Sequence, residues 1–289
     1  MRGRTAGTEL SLVVAAILLG LNFVAIKIAV VSIPPLLVGA LRFTAGGLLL
    51  LAVLWLVERP GRPTRGLVLT SLGLGLIGGT VFNAALNEGT RLTSASNAAL
   101  IMATAPVWGM LLAAGLKVES LRKTSVVGAL VSLLGVVLVL GRGLEEGGSS
   151  LTGDLLVFVA AVSFGAYNVL SRTQHDRYSP LTLASYATFI GGFLIFFLVP
   201  AEVTRGDWET ASLAAWAAVA YLAVFSTAVA YWIWQRGIAR IGADRVLVYQ
   251  YLITLVGVAS SVVVLNEAFG PLRVLGAAVI LGGVYLASR

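Results

Sequence analysis

The sequence predicts an all-α integral membrane protein, in which ten transmembrane helices form two inverted repeats of five. Three observations predict this fold class. Hydrophobic residues make up 58% of the 289 residues and charged residues only 11%, about half the charged fraction of a soluble domain. The apolar residues fall into runs long enough to cross about 30 Å of hydrocarbon. The chain also resembles itself after a shift of 145 residues.

Ten runs are long and apolar enough to span a membrane as helices of about 20 residues. In chain order they cover residues 10–31, 35–57, 66–87, 93–116, 123–140, 153–172, 180–200, 212–235, 243–265 and 271–288. Helix-breaking residues separate several of them, at Pro34-Pro35, Pro60-Gly61, Gly206-Asp207 and Gly270-Pro271. The first run is too long for the apolar core of a signal peptide, so we interpret it as a spanning helix.

The internal repeat is visible residue by residue. A shift of 145 places Gly46-Gly47 on Gly191-Gly192, and later in each half a shift of 148 places Glu119 on Glu267. We therefore predict two five-helix domains, 1–145 and 146–289, joined by the Gly/Ser/Glu-rich stretch 141–153. Because each domain has an odd number of helices, the two copies cross the membrane in opposite senses, as in many secondary transporters.

The basic residues predict the orientation. With the N-terminus in the cytoplasm, 14 Lys and Arg residues fall on the cytoplasmic side and 4 on the other. Cytoplasmic loops carry such an excess of positive charge, so we expect a protein of the cell inner (plasma) membrane with both termini cytoplasmic. The acidic residues lean the other way, and among them we expect Asp154 on the outer side.

Several classes of function are excluded by the composition. The basic residues behind the net charge of +7 are scattered singly, so we expect no nucleic-acid partner. There is no cysteine and no Walker sequence, so we expect no thiolate chemistry and no ATP-driven transport by this chain. We expect no enzyme activity, cofactor or metal, and as partners the bilayer and a small-molecule substrate. The sequence leaves open whether helices five and ten pack together or mediate a homodimer.

Polar side chains deep in a bilayer are costly unless they face protein or a cavity, which makes them candidates for the substrate site. Asn22 is either a substrate partner or a contact between helices. Asn97, Thr104 and Trp108 share one helical face, which favours a cavity wall over lipid contact, with packing among helices as the alternative. The remaining candidates are Asn83, Tyr167, Tyr231, Tyr249 and Gln250. By the repeat, Tyr167 corresponds to Asn22 and Tyr231 to Asn83, so the site would be polar on one side and aromatic on the other.

Charged residues within the helices are few. The candidates for charge coupling are Lys27, Arg42 and Glu88, because no Asp or Glu lies near the middle of a predicted helix. We favour snorkelling of Lys27 to the outer interface, and pairing of Arg42 with backbone carbonyls or with Glu88. Facilitated transport or exchange is therefore at least as well supported as tight proton coupling.

Several motifs in order resemble the EamA-type family of the drug/metabolite transporter superfamily. They are Gly20-Leu21-Asn22-Phe23-Val24-Ala25-Ile26-Lys27, Leu41-Arg42-Phe43, Ala84-Ala85-Leu86-Asn87, Ser94-Ala95-Ser96-Asn97, Ala105-Pro106-Val107-Trp108, Gly242-Ala243 and Leu265-Asn266-Glu267. The resemblance covers nearly the whole chain. It implies ten helices around a central cavity and the export or exchange of small metabolites, often amino acids. One departure is Thr254, which stands where the first repeat has Pro106, so the two halves need not bend alike.

The sequence therefore favours a secondary transporter that exports small organic metabolites, with amino acids as the favoured class, by alternating access. A sugar-phosphate or nucleotide-sugar exchanger is one alternative, but it would need several cationic groups in the cavity. A non-transporting membrane channel or scaffold is the other alternative.

Overall fold

The structure is a computed structural model that describes residues 2–117, 123–143, 150–200, 208–241, 246, 249–268 and 270–287. Within these ranges the regular secondary structure is entirely helical. Of the predicted features, Glu119, Gly242-Ala243 and residues 144–149 of the stretch joining the halves lie outside them.

The first half begins with two collinear helices that meet at Leu21. Its elements are α1 (Arg2–Gly20), α2 (Asn22–Ala29), α3 (Pro35–Val57), α4 (Arg65–Gly75), a π-helical segment (Leu76–Val81), α5 (Phe82–Leu92), α6 (Ala95–Met102), α7 (Ala105–Gly115) and α8 (Lys123–Gly143). The π segment continues α4 directly into α5, so that one rod runs from Arg65 to Leu92. This rod extends five residues beyond the predicted end at residue 87.

The second half repeats this order. Its elements are α9 (Leu151–Arg172), α10 (Pro180–Ile195), a short 3-10 turn (Trp208–Thr210), α11 (Leu213–Tyr221), a second π segment (Leu222–Val229), α12 (Ala230–Ile241), α13 (Tyr249–Leu265) and α14 (Pro271–Ala287). We name the ends of the bundle after Glu267, which follows α13, and Arg172, which ends α9. The Glu267 end also holds the α5–α6 connection, because Glu267 accepts a hydrogen bond from the backbone N–H of Ala95 at the start of α6.

Local sequence fixes where several helices begin. Thr64, Ser94, Ser150, Ser179 and Ser212 each accept a hydrogen bond from the backbone N–H three residues ahead, which satisfies one of the free donors of a helix start. Proline occupies the first position of α3, α10 and α14, where its missing N–H costs nothing.

Among the described residues, six helices are long and apolar enough to cross a membrane. They are Gly7–Ala29, Pro35–Val57, Arg65–Leu92, Ala95–Gly115, Leu151–Arg172 and Leu213–Ile238. Four shorter apolar helices, within α8, α10, α13 and α14, coincide with the other four predicted spans. The outer surface of the bundle carries exposed apolar side chains such as Leu56, Phe197 and Leu213. Such a surface is typical of contact with lipid.

Residues that are equivalent by the repeat also make equivalent contacts. A Cβ on Gly165 of α9 would lie 2.6 Å from the carbonyl oxygen of Ala105, and one on Gly20 of α1 would lie 2.8 Å from that of Ile253. Gly165 follows Gly20 by 145 residues and Ile253 follows Ala105 by 148. Each half therefore packs one small residue of its first helix against the fourth helix of the other half.

The fourth helices of the two halves differ in shape. The first is interrupted at Ala103-Thr104, just before Pro106, whereas α13 runs unbroken through Thr254. A proline inside a helix removes a hydrogen bond and clashes with the preceding turn. The difference between Pro106 and Thr254 accounts for the unequal bending expected from the sequence.

Both halves carry a π segment in their third helix, at Leu76–Val81 and at Leu222–Val229. The two segments end 148 residues apart, which is the shift of the repeat. π-Helical turns are rare and occur frequently at functional sites. Asn83 and Tyr231, two equivalent candidate residues, lie two positions after these segments.

The helices α8 and α14 pack against each other within one chain. A Cβ on Gly283 would lie 2.4 Å from the backbone nitrogen of Ser132, and one on Gly135 would lie 2.7 Å from that of Ile280. These two glycine faces are therefore occupied inside the protomer. A homodimer, which stays a proposal, would have to use other surfaces.

Candidate functional site

Five aromatic side chains form a continuous band through the interior of the bundle. Tyr231 of α12 lies edge-on to Phe43 of α3, with ring centroids 6.3 Å apart. Phe82 of α5 lies 6.4 Å from Phe43 and 5.1 Å from Phe164 of α9, which stacks on Tyr167 at 6.2 Å. These separations are typical of favourable aromatic pairs. The aromatic band, as we name these five residues, takes side chains from both halves of the chain.

Arg42 lies beside this band. Its guanidinium carbon is 5.1 Å from the centroid of the Phe43 ring, and its charge interacts with Tyr231. The side chain is 2% exposed, and its Nε and Nη1 have no hydrogen-bond partner. The predicted pairing with Glu88 is wrong, because Glu88 forms an ion pair with Arg91 within α5 instead.

The polar stripe around Asn83 is buried and directed largely at backbone. Thr80 donates to the carbonyl of Gly191 at 3.0 Å, and Asn87 donates to that of Pro35 at 3.2 Å. Asn83 donates to the carbonyl of Gly79 at 3.1 Å. The stripe therefore ties α5 and its π segment to α3 and α10. The side-chain oxygens of Asn83 and Asn87 are left without a partner.

Asn22 contacts the second half of the chain. Its Oδ1 accepts a hydrogen bond of 2.9 Å from the hydroxyl of Ser226, and both residues are buried. Of the two roles that the sequence allowed, this geometry supports the contact between helices. Asn22 thereby joins α2 to the second π segment.

The face formed by Asn97, Thr104 and Trp108 packs against α9 rather than lining open space. Trp108 donates to the hydroxyl of Thr104 at 3.0 Å and lies edge-on to Phe158, with ring centroids 4.9 Å apart. Asn97 donates to Asp154 at 3.4 Å. Of the two roles that the sequence allowed, these contacts support packing among helices, because the partners of all three side chains lie on α9 or on the face itself.

Tyr249 and Gln250 are not brought to the aromatic band. They begin α13 at the Arg172 end of the bundle, where Tyr249 interacts with the charge of Glu9. Both side chains are partly buried. Only Tyr167 and Tyr231, of the predicted tyrosines, belong to the band.

Lys27 binds backbone at the Glu267 end. Its ammonium group donates to the carbonyls of Thr90 at 2.9 Å, Arg91 at 3.1 Å and Thr93. These carbonyls lie at and just past the C-terminus of α5, where the helix dipole favours a cation. Lys27 thus joins α2 to α5, which corrects the expectation that it snorkels to the interface.

Asp154 is buried, although the sequence placed it among the outer acidic residues. It is 1% exposed and accepts hydrogen bonds from Thr93 at 2.5 Å and Asn97 at 3.4 Å. The charge of Arg273 lies nearby. Helix α9 begins at Leu151, so that Asp154 lies in the first turn of the helix, against the α5–α6 connection at the Glu267 end. The expectation that this end is the outer side stays a prediction. Sequence alone does not distinguish a first-turn acid that faces protein from one that faces water.

Glu267 binds the start of α6 at the same end of the bundle. Its carboxylate accepts hydrogen bonds from the backbone N–H groups of Ala95 at 2.7 Å and Ser96 at 3.0 Å, and from the Ser96 hydroxyl at 2.6 Å. An anion at a helix N-terminus is stabilised by the free N–H groups and the dipole. We call Thr93, Ser96, Asn97, Asp154 and Glu267 the polar cluster. It joins the two halves at one end of the bundle.

Thr93→Val should destabilise this end. The change keeps the shape of the side chain and removes a buried donor to a charged acceptor, a bond that contributes about 1.5–3 kcal/mol. We expect the unfolding midpoint of the purified protein to fall by several degrees. Thr173→Val, in the exposed turn after α9, is the control and should have little effect. Equal midpoints for the two variants would contradict the importance of the bond between Thr93 and Asp154.

A comparison with protein families identifies the chain. One family model, described as the EamA-like transporter family, matches it twice, over residues 7–141 and 151–289. The chain belongs to this family. It is therefore a multi-pass membrane protein of a transporter family, as its apolar helices indicate. The predicted boundary between residues 145 and 146 falls between the two matches.

Relatives of this EamA-like protein include named exporters. A "Probable terminal-alkyne amino-acid exporter" of Streptantibioticus cattleyicolor is 30% identical over 74% of this chain and 71% of its own length. A "Probable amino-acid metabolite efflux pump" of Salmonella typhimurium is 28% identical over 92% of this chain and 90% of its own length. A solved structure titled "Crystal structure of protein" has the same fold, with a TM-score of 0.68 at 22% identity over 98% of this chain and 97% of that one.

The described part of this EamA-like protein holds no group of three or more His, Cys, Asp or Glu residues that could bind a metal ion. The residues that sequence reasoning missed are the aromatic ones, Phe43, Phe82 and Phe164. Their only signal was a position within an apolar run, which lipid-facing phenylalanines share.

Proposed function

We propose that this EamA-like protein is a secondary transporter that exports small organic metabolites, with amino acids as the favoured class. The substrate crosses between the two inverted halves, and rocking of one half against the other alternates the side to which the site is open. The protein lies in the plasma membrane, and both termini are cytoplasmic.

The observation that carries this proposal is the aromatic band with Arg42 beside it. Ligand sites are largely apolar, with a few polar groups that fix orientation. The band offers apolar and aromatic surface from α3, α5, α9 and α12, so a bound solute contacts both halves. The names of the relatives from Streptantibioticus cattleyicolor and Salmonella typhimurium support an amino-acid substrate.

The geometry favours neither alternative from the sequence. Phosphorylated sugars demand several cationic groups, and Lys27 is already bonded to three carbonyls. A water-filled channel needs a continuous polar lining or charged rings. The interior here is a band of aromatic rings instead.

Counterflow in liposomes tests the proposal. Purified protein should accelerate exchange of labelled leucine or another apolar amino acid for the same amino acid trapped inside, relative to empty liposomes. No acceleration with a broad panel of amino acids would exclude this substrate class. Currents from single molecules in a planar bilayer would identify a channel.

We further propose that the Arg172 end faces the cytoplasm, as the distribution of Lys and Arg indicates. The chain contains no cysteine, so a cysteine introduced at one position is the only residue that a thiol reagent can label. A membrane-impermeant thiol reagent added to intact cells should label Glu209→Cys, before α11, and should leave Gly61→Cys, between α3 and α4, unlabelled until the cells are opened. Both positions are exposed. The opposite pattern would reverse the orientation.

A further inference from the structure

Arg42 is a buried cation whose donors are not satisfied by the protein. Burial of a charge costs several kcal/mol unless hydrogen bonds and an opposite charge compensate it. Arg42 gains the Phe43 ring at 5.1 Å, while its Nε and Nη1 have no acceptor. Nε–H lies on the side edge of the guanidinium and Nη1 on its end edge, so each of the two nitrogens can donate to an oxygen of a bound anion.

Each cation at the Glu267 end has at least one acceptor in the protein. Lys27 donates to three carbonyls, Arg91 pairs with Glu88, and Arg273 donates to the carbonyl of Ala268 near Asp154. Two further described carboxylates are also engaged elsewhere. Glu58 accepts from Ser179 and Thr182, and Glu267 caps α6. Among the described residues, Tyr231 is the group whose charge acts on Arg42, and no acidic side chain does so.

Other polar groups converge on the same place. Tyr231 interacts electrostatically with both Arg42 and Tyr167. Thr227, one turn before Tyr231, packs against α3 at Gly46, one turn after Arg42. The Thr227 hydroxyl is buried and has no partner. The site therefore combines an unsatisfied cation, an unsatisfied hydroxyl and aromatic surface.

We propose that Arg42 binds the carboxylate of the transported substrate, whose apolar side chain lies on the aromatic band. This inference rests on the proposed function for its assignment to transport. The anion replaces the missing protein acceptors, so that the guanidinium is fully compensated only when the site is occupied. A neutral amide or an amine lacks the anion and binds more weakly.

Direct binding to purified protein tests the role of Arg42 without transport. The probes are leucine, leucinamide, isocaproate (the leucine skeleton without its amino group) and isoamylamine (the skeleton without its carboxylate). For the unmodified protein we expect leucine and isocaproate to bind at least tenfold more tightly than leucinamide and isoamylamine, because hydrogen bonds to a charged group contribute about 1.5–3 kcal/mol.

Arg42→Gln should abolish this preference and Arg42→Lys should reduce it, because lysine keeps the charge and loses the planar fork. Arg65→Gln, an exposed arginine at the start of α4, is the control and should keep the preference. Monodisperse protein with an unchanged helical content establishes that each variant is folded. If Arg42→Gln fails to fold, the affinities of the four probes for the unmodified protein and for Arg42→Lys still test whether Arg42 binds a carboxylate. Equal binding of leucine and leucinamide by the unmodified protein would overturn the inference.

Counterflow separates failure of the inference from failure of the proposed function. Leucine counterflow that persists unchanged in Arg42→Gln would overturn the role of Arg42 and leave the transporter proposal in place. Binding of carboxylates through Arg42 without counterflow of any amino acid would support the anion site and contradict amino-acid export.

Discussion

Gly47→Val should separate α3 from α10 and lower the unfolding midpoint by roughly 5 °C or more. A Cβ at Gly47 would lie 2.5 Å from the backbone Cα of Phe189, a distance at which one helix has to move. Overpacking of this kind costs about 1–3 kcal/mol, and each kcal/mol shifts the midpoint by a few degrees in a protein of this size. Thermal unfolding in detergent, followed by loss of monodisperse protein, measures the effect.

The repeat supplies both a second test and a control. Gly192 corresponds to Gly47 by the shift of 145, and its Cβ would lie 2.4 Å from the backbone nitrogen of Thr44. Gly192→Val should therefore cause a similar fall. Gly282→Val places the same side chain in a helix where nothing lies within 4 Å. If Gly47→Val and Gly282→Val are equally stable, the close approach of α3 and α10 is not needed for the fold.

Glu267→Ala should weaken the contact between Glu267, after α13, and the start of α6, so that the Glu267 end is open more often. The carboxylate is the acceptor for three donors at the start of α6, and alanine leaves the two backbone N–H groups without it. Hydrogen bonds to a charged group contribute about 1.5–3 kcal/mol, so the open population should rise at least tenfold. The thiol of Ala98→Cys, at a position fully buried one turn into α6, should react correspondingly faster with a soluble thiol reagent.

The matched control is Glu88→Ala. Glu88 forms its ion pair with Arg91 within α5. Its removal should leave the reactivity of Ala98→Cys unchanged. Equal acceleration by Glu88→Ala and Glu267→Ala would mean that the polar cluster does not hold this end closed.

Much of the helical framework could be predicted from the sequence, because long apolar runs have few other stable solutions in a membrane. The repeat also aligned small residues that prove to be in equivalent contacts, as Gly20 and Gly165 illustrate. The π segments could not be predicted. Both lie inside uninterrupted apolar runs, with no proline and no unusual residue at their ends.

The site was harder to predict, because apolar composition does not say which way a side chain faces. Phe193 and Phe197 are 50% and 71% exposed on the outside of the bundle, and in the sequence they are no different from Phe43 or Phe82. The sequence also does not say which charged side chains are bonded to other parts of the protein. Asp154 and Lys27 lie near predicted helix ends, and only the partners supplied by the other helices decide that both are bonded to protein.

The matching π segments have a consequence for the history of the chain. Each is equivalent to one extra residue inserted into an α-helix, which rotates everything after it by about 100° relative to what came before. Because both insertions end at the same repeat position, Val81 and Val229, a single event in a five-helix ancestor accounts for them.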